Sequence, residues 1–151
     1  MANFIDCSGD SNFKSERVAL IVDDEPDEAP TKVLLRFLIK AKIFSGIYIA
    51  TSGEDAIATY REHPEIPFVT MDFNMPGMNG DQVIRAIRGI TPDQEELYII
   101  GITGADDADK DKMSQAGANQ VFSKPINFRE LRTLLDDKFG EMDVTMLGMS
   151  H

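Results

Sequence analysis

A chain of 151 residues with 42% apolar content is large enough to bury one core, which excludes wholesale disorder. Fifteen Lys and Arg against 26 Asp and Glu leave a formal net charge of −11. That balance argues against a nucleic-acid surface and against an anionic membrane face, since both require clustered cations. A single cysteine, Cys7, allows neither an internal disulfide nor a Cys-rich zinc site. No stretch approaches the ~20 apolar residues that span a bilayer, and Met1–Asp6 lacks the pattern of a secretory signal. The expectation is a cytoplasmic, acidic, single-domain protein.

Residues 1–16 are polar and aperiodic and read as a flexible leader. The body then alternates two kinds of segment. Val18–Val22 is a short apolar run rich in β-branched residues, which suits a strand covered on both faces. Val33, Leu34, Phe37, Leu38 and Ala41 follow at helical spacing, with Pro30 suited to a first turn. Gly46–Ala50 is the second run, and Ser52-Gly53-Glu54 opens a second helix carrying Ala56, Ile57 and Tyr60. Pro67–Met71 is the third run, followed by Val83, Ile84 and Ile87 at helical spacing. Leu97–Ile102 is the fourth run, after which Asp106 and Asp107 suit a positively polarised helix start and Gly117 its end. The fifth run, Gln120–Phe122, precedes a helix with Leu131, Leu134 and Leu135 that Asn127 is placed to cap. Residues 140–151 form a short Met-rich tail containing Met142, Met146 and Met149.

Five strands alternating with five helices predict an α/β fold: a doubly wound, five-stranded parallel sheet with helices on both faces, of the flavodoxin-like (βα)5 kind. In such sheets ligands bind beyond the carboxyl ends of the strands. The residues found there are Asp23-Asp24-Glu25 after the first run and Asp72-Phe73-Asn74-Met75-Pro76-Gly77 after the third. Thr103-Gly104 follows the fourth run, and Ser123-Lys124-Pro125 the fifth.

Two unit charges ~4 Å apart repel by about 4 kcal/mol at an effective dielectric of ~20. Asp23, Asp24 and Asp72 together therefore call for a cation, and an oxygen-only site suits Mg²⁺ or Mn²⁺. Such an ion keeps positions open to a phosphoryl oxygen. Lys124 supplies a point charge for a second oxygen and the Thr103 hydroxyl a donor for a third, the ingredients of phosphoryl transfer. Asp72, at the end of the central run, is the candidate nucleophile. Asp106, Asp107, Asp109, Lys110, Asp111 and Lys112 read as a solvated helix face, and Cys7 as a free thiol. Neither His63 nor His151 is placed to act as a base at this rim.

The four motifs Val22-Asp23-Asp24-Glu25-Pro26, Met71–Gly80, Gly101-Ile102-Thr103-Gly104 and Ser123-Lys124-Pro125 occur in order, one or two βα units apart. In this the chain resembles the receiver domain of two-component response regulators, over residues 17–139. The resemblance implies that Asp72 is the phosphoacceptor, charged by a histidine kinase or a histidine phosphotransfer protein. It implies Mg²⁺ bound by Asp24, Asp72 and the Asn74 backbone carbonyl, with Asp23 acting through water. Thr103, Lys124 and the small Gly104 would form the phosphoryl-binding and switch region, and the Lys124–Pro125 peptide would be cis. One position departs from the pattern. Receivers often carry an aromatic residue three positions before the lysine, and Val121 stands there. Phe122 is adjacent, but period-two alternation points it to the opposite face.

The function expected is a phosphoacceptor switch whose surface changes around the fourth and fifth βα units. It would be a single-domain regulator or the receiver of a hybrid kinase, signalling to a downstream protein and binding neither nucleic acid nor membrane. Pairing of two copies stays open. Beyond its own phosphorylation and slow self-dephosphorylation no enzyme activity is expected. The alternatives are a Mg²⁺-dependent phosphatase of the haloacid-dehalogenase kind, which would need an acid where Asn74 stands, an FMN binder, and an unphosphorylated receiver-like interaction module. The acidic Asp23-Asp24-Glu25 turn disfavours FMN, because it would repel a phosphate.

Overall fold

The computed structural model describes residues 2–7, 16–93, 96–104 and 106–140. Eleven elements follow one another among the described residues: β1 (Asn3–Asp6), β2 (Val18–Val22), α1 (Thr31–Ala41), β3 (Gly46–Ala50), α2 (Gly53–Glu62), β4 (Phe68–Asp72), α3 (Gly80–Ile90), β5 (Tyr98–Thr103), α4 (Asp107–Ala116), β6 (Gln120–Ser123) and α5 (Phe128–Phe139). The strands lie in the order β1-β3-β2-β4-β5-β6. From β3 to β6 every neighbouring pair is parallel, and β4 occupies the centre of that parallel part.

Period-two alternation divides the core. Leu20 and Val22 of β2 and Val69 and Met71 of β4 join Tyr60, Val83, Ile84, Ile87 and Met113 from α2, α3 and α4. Ala19, Ile21 and Phe68 face the other way, against Leu34 and Leu38 of α1 and Leu131, Leu135 and Phe139 of α5. β2 and β4 thus bury both faces, which is why their runs read as continuous apolar stretches rather than alternating ones. The helix starts are capped as their residue types suggest. The side chain of Ser52 accepts from the Asp55 amide at 3.1 Å, that of Asp106 from Ala108 at 2.8 Å and that of Asn127 from Glu130 at 3.1 Å. Gly117 ends α4 at φ 118°, a left-handed geometry that glycine adopts without a side-chain penalty.

Two expectations are corrected at the N-terminus. Among the described residues the five parallel strands stand as expected and gain a sixth, Asn3–Asp6, within the supposed leader. β1 pairs antiparallel with β3, Asn3 opposite Ile49 and Asp6 opposite Gly46. It covers the backbone edge that β3 would otherwise expose. The Phe4 ring lies over Gly46, where a Cβ would come within 2.3 Å of it, and 4.7 Å from the Tyr48 ring. Residues 8–15 of the leader, and 141–151 of the tail, lie outside the described residues. Pro30 sits just before α1 rather than within its first turn, and its peptide with Ala29 is cis. Among the described residues no helix is long and apolar enough to cross a membrane.

Arg88 ties α3 to the neighbouring βα unit. Its guanidinium donates to the Gly117 carbonyl at 3.1 and 2.8 Å, to the Leu97 carbonyl at 2.9 Å and to Asn119 Oδ1 at 2.7 Å. Asn119 Oδ1 accepts in turn from the Ile99 amide at 2.8 Å. Arg88→Ala takes the donor from the part-buried Gly117 and Leu97 carbonyls, so a loss of about 2–3 kcal/mol is expected. Thermal unfolding should show it as a fall of roughly 5–10 °C in Tm.

Candidate functional site

The carboxyl ends of β2, β4, β5 and β6 place the expected residues along one rim. β4 ends in Asp72, 6% exposed, and the first residue beyond β2 is Asp23, 8% exposed. One carboxylate oxygen each from Asp23, Asp24 and Asp72 lie within 4.8 Å of one another. Lys124 Nζ, arriving from the residue after β6, stands 3.0 Å from Asp72 Oδ1. The backbone fixes that approach, because the Lys124 amide donates to the Thr103 carbonyl at 2.8 Å and the Lys124–Pro125 peptide is cis. The Phe73 amide likewise donates to the Ile102 carbonyl at 2.9 Å, extending the β4–β5 ladder one residue past the nucleophile candidate.

Electrostatics at this rim are unbalanced. Burial pushes the Asp72 carboxyl up to about 6; the Lys124 ammonium opposes that rise, and the charges of Asp23 and Asp24 add to it. Three carboxylates against one ammonium leave an excess of negative charge in a poorly solvated place, which a small divalent cation would neutralise. The donor set is entirely oxygen and partly buried, and it fits Mg²⁺ or Mn²⁺ better than a soft metal.

Asp23 is itself held. Its Oδ1 accepts from the Glu25 amide at 2.8 Å and its Oδ2 from the Thr31 hydroxyl, the first residue of α1. Thr31 escaped the sequence reading. A hydroxyl eight residues past an acidic pair is no signal until the β2–α1 loop folds back. Thr103 is 1% exposed, and its Oγ1 is buried without a hydrogen-bond partner among the described residues. A buried hydroxyl in that condition costs about 1–3 kcal/mol. An arriving oxygen acceptor would relieve it. Asn74 is exposed in the loop after β4, and among the described residues a side chain at Gly104 would meet nothing within 4 Å. Val121 packs on the side of α2, α3 and α4, and Phe122 on the side of α1 and α5.

The strand order reverses beside β2 and β4, and acidic, hydroxyl and ammonium groups stand at the ends of β2, β4, β5 and β6. The profile of the response regulator receiver domain matches residues 19–136. The chain belongs to that family. It is a receiver domain of two-component and phosphorelay signalling. A probable chemotaxis protein CheY of Rhizobium etli is 27% identical over 128 residues, 85% of this chain and 97% of that protein. The receiver domain of a Pseudomonas aeruginosa sensor histidine kinase, solved with a magnesium ion coordinated in its active-site cleft, superposes with a TM-score of 0.67. It is 25% identical and covers 83% of this chain and 99% of its own. CheY from the CheX–CheY–BeF3–Mg²⁺ complex of Borrelia burgdorferi gives a TM-score of 0.67 at 26% identity, covering 82% of this chain and 89% of its own.

Proposed function

We propose that Asp72 is the phosphoacceptor of this receiver, charged from the phosphohistidine of a histidine kinase or histidine phosphotransfer protein. The observation that carries the reading is the Asp72 carboxylate itself: buried at the end of the central strand, clustered with Asp23 and Asp24, and 3.0 Å from Lys124 Nζ. In the transfer a carboxylate oxygen of Asp72 bonds to phosphorus as the phosphorus–nitrogen bond breaks. The electron pair leaves on the imidazole nitrogen, which takes up a proton, and the product is a mixed anhydride.

Asp24, Asp72 and the Asn74 backbone carbonyl would hold Mg²⁺, with Asp23 reached through water. A bound divalent cation supplies charge neutralisation for the phosphoryl oxygens. Lys124 offers its ammonium to one of those oxygens and Thr103 its hydroxyl to another, while Gly104 leaves their path clear. Asn74 stands where a haloacid-dehalogenase phosphatase would need an acid, so the acyl phosphate is a signal rather than a turnover intermediate. The receiver unit runs over residues 17–139, with β1 added to its edge. Output passes to a downstream protein through the surface of α4, β5, β6 and α5, where pairing of two receivers would also be accommodated. The reading implies a cytoplasmic protein, working alone or as part of a hybrid kinase.

Incubation with acetyl phosphate and Mg²⁺ should add one phosphoryl group per chain, seen in the intact mass and discharged by hydroxylamine. Chelation of the metal with EDTA should stop the uptake. Equal uptake with and without Mg²⁺ would contradict the proposed site.

A further inference from the structure

Gly101 and Thr103 lie two residues apart on β5 and so share a face of the sheet, the face that α4 covers. Gly101 brings no side chain there, and its partner in the ladder is Val121. The room left by this small pair is taken by Met113 of α4, fully buried at 0% exposure. A Cβ at Gly101 would stand 2.7 Å from Met113 Sδ and 3.0 Å from its Cε, so the thioether rests directly on the β5 backbone.

The far end of the same side chain reaches a second part of the site. A Cβ at Gly80, the first residue of α3, would stand 2.9 Å from Met113 Cε and 2.5 Å from the Asp72 carbonyl oxygen. The Gly80 amide donates to the Phe73 carbonyl at 2.8 Å. One flexible side chain therefore touches the strand that carries Thr103 and the helix start that closes over Asp72. Methionine, unbranched and polarizable, can re-seat at little cost where a branched residue would jam.

We infer that Met113 is the positioning residue that couples occupancy of the Asp72 site to the placement of α4, in a fold where Val121 leaves no aromatic ring to do so. The inference rests on the phosphoacceptor reading above. Drawing the Thr103 hydroxyl toward a phosphoryl oxygen displaces the end of β5. Met113, seated on Gly101 two residues earlier, moves with it and carries α4. Coupling of this kind is reciprocal, so a change in the Met113 seat must alter the affinity of the site.

The test uses the full chain carrying ¹³C-methyl methionine, with Mg²⁺ and beryllofluoride as the phosphoryl mimic. Met113→Leu, which nearly conserves volume, identifies the Met113 methyl signal. Bound beryllofluoride is counted by ¹⁹F NMR. The expected result is that the Met113 signal moves in step with ¹⁹F occupancy. Met113→Leu and Gly101→Ala should each change the half-saturating beryllofluoride concentration by about fivefold or more. Either variant suffices if the other fails to fold. Full ¹⁹F occupancy with an unmoved Met113 signal, or unchanged half-saturation in a folded variant, overturns this inference and leaves the phosphoacceptor reading standing. Absence of any bound beryllofluoride in the wild-type chain overturns both.

Discussion

Asp72→Asn is expected to abolish phosphoryl uptake from acetyl phosphate, while leaving a folded protein. An amide has no anionic oxygen to attack phosphorus and cannot form the mixed anhydride, whatever else the site retains. The neighbours should grade differently. Lys124→Ala removes the only ammonium beside Asp72 Oδ1 among the described residues, so the labelling rate should fall by about 10²-fold, as when a preorganised charge-stabilising donor is deleted. Thr103→Ala removes a hydroxyl that has no other partner among the described residues; its loss should slow labelling less, by roughly tenfold, and cost little stability. Intact-mass time courses at fixed Mg²⁺ separate the three. Wild-type labelling in Asp72→Asn would mean that another group accepts the phosphoryl.

The second large effect is a pH dependence of metal binding. Asp72 titrates at about 6 rather than at its ordinary 3.8, principally because it is buried and also because Asp23 and Asp24 are close, Lys124 notwithstanding. The sign follows from linkage. Between these two values the folded state binds the proton that the unfolded state has released. The contribution of Asp72 to metal-free stability therefore falls as pH rises from about 4 to about 6, and its cost is present in full above that. A cation reverses the balance by competing with the proton. Calorimetric titration should find Mg²⁺ about tenfold weaker at pH 5 than at pH 7, with little change above pH 7. Asp72→Asn should remove that step, and in the absence of metal it should raise Tm at pH 7 by a few degrees, equivalent to about 1 kcal/mol. A flat affinity from pH 5 to pH 7 would place the metal away from Asp72.

Much of this site is legible along the chain because its parts are punctuated. Each of Asp23, Asp72, Thr103 and Lys124 closes or directly follows a strand, and a parallel sheet carries all such positions to one rim. The caps are legible for the same local reason: Ser52, Asp106 and Asn127 each satisfy an amide two or three residues ahead. What escapes is whatever depends on a partner distant in sequence. β1 is four residues long with an exposed pattern, and only the open edge of β3 makes it a strand. Thr31 matters because a loop returns it to Asp23. Gly101 and Met113 look unrelated until α4 packs on β5 and one fills the gap left by the other.

Peptide mapping of the chain after acetyl phosphate and Mg²⁺ treatment tests the central claim most directly. One acyl phosphate is expected, on the peptide containing Asp72. A phosphoryl group on a different carboxylate, or a chain that stays unmodified under those conditions, would contradict it.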